Sequence, residues 1–274
     1  MKSLSKIFVA DVSFHNVTME EAVNQIVAMA RKTEKPRYVC TGNLDHLVTL
    51  AHDAEFREIY RNADLTLADG KPVVWLSRLT ATPDSPALKA RVTGSDLFWE
   101  LARVSEATGL SLFFLGGAPC AADLARKAVL RRYPGAQICG THCPPLETFS
   151  TPEEQGLIRE KVRAAQPDIL LVGFGAPKQE KWIAANKDLL GVPVCVGVGG
   201  SFEMAGGVVK RAPVWMQEVG LEWAYRFFQE PRRLWRRYFG RDLPFLILLV
   251  LRTLRERRGR ERSTLPPAAD VKTS

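Results

Sequence analysis

The 274-residue chain is short of the features that would assign it to a class at a glance. Its longest apolar run, Leu243 to Leu251, falls well below the roughly 20 residues of a bilayer-spanning helix, so it does not cross a membrane as a straight helix. The start, MKSLSKIFVADVSF, is interrupted by Asp11 and followed by no small-residue cleavage site, so it does not read as a signal peptide. Cysteine is scarce and odd in number: Cys40, Cys120, Cys139, Cys143 and Cys195 form no disulfide framework, which suits a reducing cytosol. Cys139, His142 and Cys143 lie close together, yet no second cluster completes four zinc ligands, and they read as buried thiols and a loop histidine.

The short catalytic signatures are missing too. Gly173-Phe174-Gly175-Ala176-Pro177-Lys178 and Gly197-Val198-Gly199-Gly200-Ser201-Phe202 each begin like a dinucleotide fingerprint and lack its third glycine, which disfavours a nicotinamide enzyme. There is no Walker A sequence and no Gly-x-Ser-x-Gly elbow, and the four histidines have no evident nucleophile partner. Nor is there an Asp-x-Asp to hold a divalent metal over a diphosphate, so no metal site is expected. If a diphosphate leaves, side-chain cations must stabilise it.

What is present is apolar bulk and unevenly placed charge. With 46% hydrophobic residues the chain can bury a substantial core. Residues 226–262 hold twelve arginines against four carboxylates, a net +8 that equals the formal charge of the whole chain. A neutral body with a basic end points to an anionic partner: a membrane surface, nucleic acid or a phosphorylated substrate.

Along the body, Thr18-Met19-Glu20-Glu21 is a capping pattern that predicts a helix from Met19 to about Arg31. Arg37 to Thr41 and Leu65 to Leu67 read as short strands, and Leu44 to Tyr60 shows helical spacing. Leu110 to Leu115 then Gly116-Gly117, Ile169 to Val172 then Gly173, and Val192 to Val198 then Gly199-Gly200 repeat one plan of strand, glycine turn and helix. Apolar strands without alternation are buried on both faces. The fold class expected is therefore α/β, a Rossmann-like, mostly parallel sheet with helices on both faces and ligands bound at the strands' carboxyl ends. The glycine turns at 173–178 and 197–202 also place backbone N–H groups at helix starts, where phosphates can bind. Residues 1–210 are the expected core. Residues 211–262, rich in Trp, Tyr, Phe and Arg, are a basic helical appendage in which Pro231 starts a fresh helix. This appendage either lies in a lipid interface or packs on the core with a solvated basic face. Residues 263–274 read as a disordered tail.

Several of these segments, in order, carry a family resemblance. They are Thr41-Gly42-Asn43, NADLTLADGKPVVW at 62–75, RVTGSDL at 91–97, FFLGG at 113–117, GFGAPKQEKWI at 173–183 and GVGGSFEMAGG at 197–207. Over roughly residues 7–240 the chain resembles the WecG/TagA/CpsF glycosyltransferases. The resemblance implies transfer of a sugar, N-acetylmannosamine or a related hexose, from a UDP-sugar to a polyprenyl-diphosphate-linked sugar in cell-surface polysaccharide synthesis. The reaction would be inverting and need neither metal nor cofactor. It would take place on the cytoplasmic face of a bacterial membrane, whose anionic lipid surface the basic end would meet; the sequence leaves open whether the chain also forms a homo-oligomer. It also implies that Asp69 is the general base and Thr41 its neighbour, that Asn43, Arg91, Gln179 and Glu203 contact substrate, and that Arg226, Arg233 and Arg236 are brought over the site. A carboxylate at a strand end is chemically apt to take the proton of an attacking hydroxyl.

Each of these residues has a plainer reading. Asp69-Gly70 is a turn dipeptide, Asn43 a helix cap, Lys178 and Glu180 a charge pair at a helix start, and the arginines solvated or in lipid headgroups. Asp64 is given only a capping or solvated role. The rival from another class is a non-catalytic membrane adaptor that binds nucleotide or lipid. It would tolerate Asp69→Asn and fail only when the tail is cut. No nucleic-acid partner is expected, because the basic segment has no recognisable reading motif.

Overall fold

The computed structural model describes residues 4–32, 35–82 and 85–263, without the side chains of Arg233 and of 256–263. Two antiparallel strands, β1 (Lys6–Val9) and β2 (Val12–His15), precede α1 (Met19–Ala30). α1 starts where its sequence dictates: Glu21 N–H donates to Thr18 Oγ1 at 3.2 Å, and Thr18 N–H donates back to Glu21 at 2.8 Å. Then follow β3 (Arg37–Gly42), α2 (Leu44–His52), α3 (Ala54–Asn62), β4 (Leu65–Ala68), α4 (Lys71–Thr80) and α5 (Gly94–Thr108). Next come β5 (Ser111–Gly116), α6 (Ala121–Arg132), β6 (Gln137–His142), α7 (Pro152–Ala165), β7 (Ile169–Gly173), α8 (Lys178–Leu190), β8 (Val194–Gly197) and α9 (Ser201–Ala205).

Strands β3 to β8 form one parallel sheet in the order β4-β3-β8-β7-β5-β6. Successive strand residues feed two separate cores, as a sheet covered on both faces requires. Tyr38, Cys40, Leu170, Val172 and Cys195 join side chains of α2, α3, α4 and α8 on one face. Val39, Leu65, Leu171, Val194 and Val196 join α1, α5 and α6 on the other. There Phe98, Phe114 and Phe202 meet with centroids 5.2–5.9 Å apart, in tilted, edge-on and stacked contacts.

The expected α/β class and the double covering are therefore what the chain adopts. The helical stretch from Leu44 to Tyr60 is two helices, because Asp53 leaves helical geometry and its carboxylate caps α3 by accepting from Phe56 N–H at 2.9 Å. The β1–β2 hairpin and the edge strand β6 were not foreseen. The first turns on two residues of positive φ, Ala10 and Asp11, without the glycine or asparagine that usually marks such a turn. The second mixes polar and apolar residues on an outer strand. His142 consequently ends β6 instead of lying in a loop, 2.7 Å from Glu154, and Cys139 is exposed and Cys143 half-buried, so only Cys40 and Cys195 are buried thiols.

After α9 the chain forms α10 (Val214–Glu218), α11 (Glu222–Gln229), α12 (Pro231–Arg237), a π-helical turn (Tyr238–Asp242) and α13 (Leu243–Ser263). Pro231 does start a helix, and Glu230 breaks the geometry before it, so Arg226 and Arg233 do not ride one continuous helix. Phe245, Leu246, Leu249 and Val250 of α13 pack on the core, whereas Ile247, Leu248 and Leu251 stay exposed. Among the described residues no helix is long and apolar enough to cross a membrane. The expected disordered tail lies, beyond Ser263, outside the described residues.

Candidate active site

A cavity of about 760 Å³ opens over the carboxyl ends of β3, β4, β8 and β7, roofed by α11 and α12. Its floor is built from turns that those strands enter. Asp69 follows β4, where its N–H donates to Gly42 O at 2.8 Å, and Gly70 follows it at φ +114°, a conformation that favours glycine. The turn reading and the strand-end reading of Asp69 are thus both correct. Its Oδ2 accepts from Gly94 N–H at 3.3 Å. Burial pushes the Asp69 carboxyl up to about 6; Glu222 adds to the rise, while the Gly94 N–H, His46 and Arg91 oppose it. Such a group is ionised at neutral pH yet holds a proton well above the ordinary aspartate range.

Thr41, at the end of β3, is buried, and its hydroxyl donates to Gly197 O at 3.0 Å. With its proton committed, Thr41 meets a ligand only as an acceptor. Asn43 caps α2 and also lines the cavity, so its two readings coexist. Its Oδ1 lies 2.8 Å from His46 Nδ1, and His46 Nε2 lies 3.5 Å from Glu180 Oε1. Glu180 is wholly buried and accepts from Gln179 Nε2 at 2.7 Å, while Gln179 Oε1 accepts from Gly199 N–H at 3.0 Å. A chain of contacts from Asn43 to the β8 turn therefore runs beneath the cavity, hydrogen-bonded except between His46 and Glu180, where His46 Nε2 is buried without a hydrogen-bond partner. It corrects the view of Glu180 as a surface charge partner of Lys178, which instead lies over the Phe149 ring. A Cβ at Gly197 would stand 2.8 Å from Gln179 Nε2, so the glycine is required by close approach.

The roof is tied down by charge. Arg211 Nη1 lies 2.6 Å from Asp96 Oδ1, Arg211 Nε 3.7 Å from Glu222 Oε1, Arg91 Nη1 3.4 Å from Glu222 Oε2 and Arg91 Nη2 4.0 Å from Asp96 Oδ2. Burial works against it, yet the hydrogen bonds from Arg211 and Thr93 hold the Asp96 carboxyl below the usual range. Arg91 is thus at the cavity but already paired.

Of the remaining sequence candidates, Arg226 lines the cavity, with Nη2 3.6 Å from where a Gly200 Cβ would be. Glu203 does not line it: its longer side chain reaches the β5 turn and Oε1 accepts from Ala118 N–H at 2.8 Å. Arg236 is exposed and points away from the lining, whereas its neighbour Arg237 enters it. The side chain of Arg233 lies outside the described residues. Of the two turns expected to offer N–H groups, 173–178 brings Phe174, Gly175 and Ala176 to the cavity and 197–202 brings Val198 to Ser201, with the Gly199 N–H taken by Gln179; Gly116-Gly117 shares the sheet's carboxyl edge but does not line the cavity. Asp64 has the plain role expected, accepting from Tyr38 N–H at 3.0 Å. His46, Asp45, Glu222 and Arg237 were missed. His46 was legible as the third residue after the Asn43 cap, but Arg237 could not be told from Arg236 within RRLWRR. Among the described residues no three His, Cys, Asp or Glu side chains gather as a metal site.

The profile of the glycosyl transferase WecG/TagA/CpsF family matches residues 7–260. Curated relatives include proteins of Bacillus spizizenii W23, 31% identical over 218 residues and 80% of each chain, and of Bacillus subtilis 168, 30% identical over 214 residues and 78% of each chain. A Staphylococcus aureus MW2 protein is 28% identical over 233 residues, 85% of this chain and 88% of its own. All three are named N-acetylglucosaminyldiphosphoundecaprenol N-acetyl-beta-D-mannosaminyltransferase.

Proposed function

Because the chain belongs to the WecG/TagA/CpsF family of glycosyl transferases, we propose that its cavity moves N-acetylmannosamine from UDP to the N-acetylglucosamine of a polyprenyl-diphosphate lipid, with inversion and without a metal. The observation that carries this reading is Asp69, a half-buried carboxylate of raised proton affinity on the cavity floor. Asp69 takes the proton of the acceptor hydroxyl as its oxygen bonds to the donor's anomeric carbon. On the opposite side the bond from that carbon to the β-phosphate oxygen breaks, and the electron pair leaves with UDP. Attack from the face opposite the leaving group inverts the anomeric centre. A base that titrates near 6 is ionised at neutral pH and still basic enough to share a proton in the transition state.

The diphosphate's growing charge is assigned to Arg226, beside the β8 turn, in place of a metal. Thr41, Asn43, Arg91 and Gln179 hold the sugars and nucleotide against the floor. Residues 211–262 form the membrane-associating appendage. Trp215, Trp235, Ile247, Leu248 and Leu251 are exposed there among arginines, a composition that binds an anionic leaflet from the cytoplasmic side.

The test is UDP release from a panel of UDP-sugars with detergent-dispersed polyprenyl-diphosphate acceptors, in EDTA, for wild type and Asp69→Asn. Acceptor-dependent release by wild type alone is expected. UDP binding without turnover across the panel would favour a non-catalytic adaptor, and equal activity in the variant would return Asp69 to being only a turn.

A further inference from the structure

Of the arginines that line the cavity, Arg226 and Arg237 keep different company from the paired Arg91 and Arg211. Arg226 lies against the β8 turn, beside Gly200. Arg237 ends α12 and faces the first turn of α2, where its Nη1 is 3.6 Å from Asp45 Oδ2. Its Nη2 donates to Tyr238 Oη at 3.4 Å, and its Nε is buried without a hydrogen-bond partner. Arg241, four residues on, also pairs with Asp45. Asp45 is thus shared by two guanidiniums and, among the described residues, is the carboxylate in ion-pair contact with Arg237, with Asp242 also near enough to attract it. Asp242, 3.1 Å from Arg241, also lines the cavity; burial pushes its carboxyl up, against the attraction of Arg241 and Arg237.

The cavity wall next to this pair is apolar. Phe239, Leu243 and Leu246 come from the π turn and the start of α13, and Trp75 from α4. Phe239, Leu243 and Trp75 are 39%, 42% and 45% exposed, so the apolar wall is continuous with the outer surface. A cavity-lining guanidinium with a buried, unsatisfied Nε that shares Asp45 with a second guanidinium and borders an apolar exit suits an anion carrying a hydrocarbon chain. It does not suit the polar uridine end of a nucleotide.

We infer that Arg237 and Arg241 are the subsite for the diphosphate of the lipid-linked acceptor, with Asp45 as the placeholder it displaces and the Phe239–Leu243–Leu246–Trp75 wall as the exit for the first isoprene units. The inference rests on the proposed transfer reaction and separates two diphosphates in one cavity: UDP beside Arg226, the lipid diphosphate beside Arg237. On displacement Asp45, itself partly exposed, turns to solvent. Each guanidinium then exchanges one carboxylate for a more highly charged group that accepts several hydrogen bonds.

Binding of farnesyl diphosphate and of UDP, measured separately by calorimetry, tests this without requiring turnover. For Arg237→Gln, farnesyl diphosphate affinity is expected to fall about tenfold, the scale of one charge-assisted contact, with UDP affinity unchanged. Arg226→Gln should show the reverse, Arg237→Lys should recover part of the loss, and Asp45→Asn should tighten farnesyl diphosphate. Farnesol, which lacks the anion, should bind wild type and Arg237→Gln alike. Circular dichroism screens each variant for folding, and Arg237→Lys and Asp45→Asn carry the test if the glutamine variant does not fold. Parallel loss of UDP and farnesyl diphosphate in Arg237→Gln would overturn the assignment, as would unchanged farnesyl diphosphate binding. So would an equal loss on phosphatidylglycerol vesicles, because the guanidinium would then serve bulk headgroups. Failure of the transfer reading is separately visible as wild-type protein that releases no UDP from any donor.

Discussion

Replacing Asp69 by asparagine should stabilise the protein while abolishing transfer. Burial pushes the carboxyl up to about 6 in the folded chain, against 3.8 for an ordinary aspartate, so folding makes it a weaker acid. Between those values the folded state binds more protons than the unfolded state, and stability falls as pH rises through the window. The ionised Asp69 therefore costs stability at neutral pH, by at most about 3 kcal/mol at pH 7.5, about 1.6 at pH 5 and under about 1 at pH 4. Asparagine keeps an oxygen for the Gly94 N–H but carries no charge, so it resembles the protonated form. Urea denaturation of both proteins at the three pH values is the assay, with circular dichroism as readout. The variant should be more stable at pH 7.5, with the gap closing as pH falls. A gap independent of pH, or a destabilised variant, would refute the burial argument, and with it the reason for regarding Asp69 as a base tuned by its surroundings.

Three further outcomes follow from the same geometry. The pH profile of kcat/KM should rise through about 6, and Glu222→Gln should move that limb to lower pH, since Glu222 helps hold the Asp69 proton; a stationary limb would remove Glu222 from the site's electrostatics. Arg226→Gln should lower kcat by roughly 100-fold, as expected for loss of a charge-stabilising donor, and EDTA should leave wild-type rates untouched; a requirement for added divalent metal would contradict the assignment of that charge to arginine. Gly197→Ala should cost about 1–3 kcal/mol in thermal or urea unfolding, because the new methyl group meets Gln179, and should weaken UDP binding; unchanged stability and binding would show that the Gln179 chain is not rigid.

The sheet was legible because its strands are short apolar runs closed by glycine, and a run buried on both faces looks the same wherever it sits in the order. The strand order itself leaves no mark on such runs. Asp69 and Thr41 fall at strand ends, where the fold class already points, whereas Asn43 and Gln179 came from the family resemblance; all four line the cavity. The roof was harder. Arg236 and Arg237 are neighbours of one type, and which enters the cavity is decided by the phase of α12 after the break at Glu230. Glu203 lies just outside the lining: its Oε1 is taken by Ala118 N–H, and its Oε2 faces Gly200. Glu180 looked like a surface acid because charge is normally solvated, and nothing local to Lys178-Gln179-Glu180 tells which side chain faces the core.

The chain beneath the cavity joins Asn43, His46, Glu180, Gln179 and the β8 turn so closely that the floor cannot be redesigned one residue at a time: each change strands a buried partner. Apart from Glu222 and Arg226, the wall that α11 supplies is under no such obligation. Trp223 and Tyr225 face the same space from a helix with no buried residues of its own. Effort to retrain this catalyst for another sugar belongs there, where libraries can vary a contact surface without unfolding the machine that uses it.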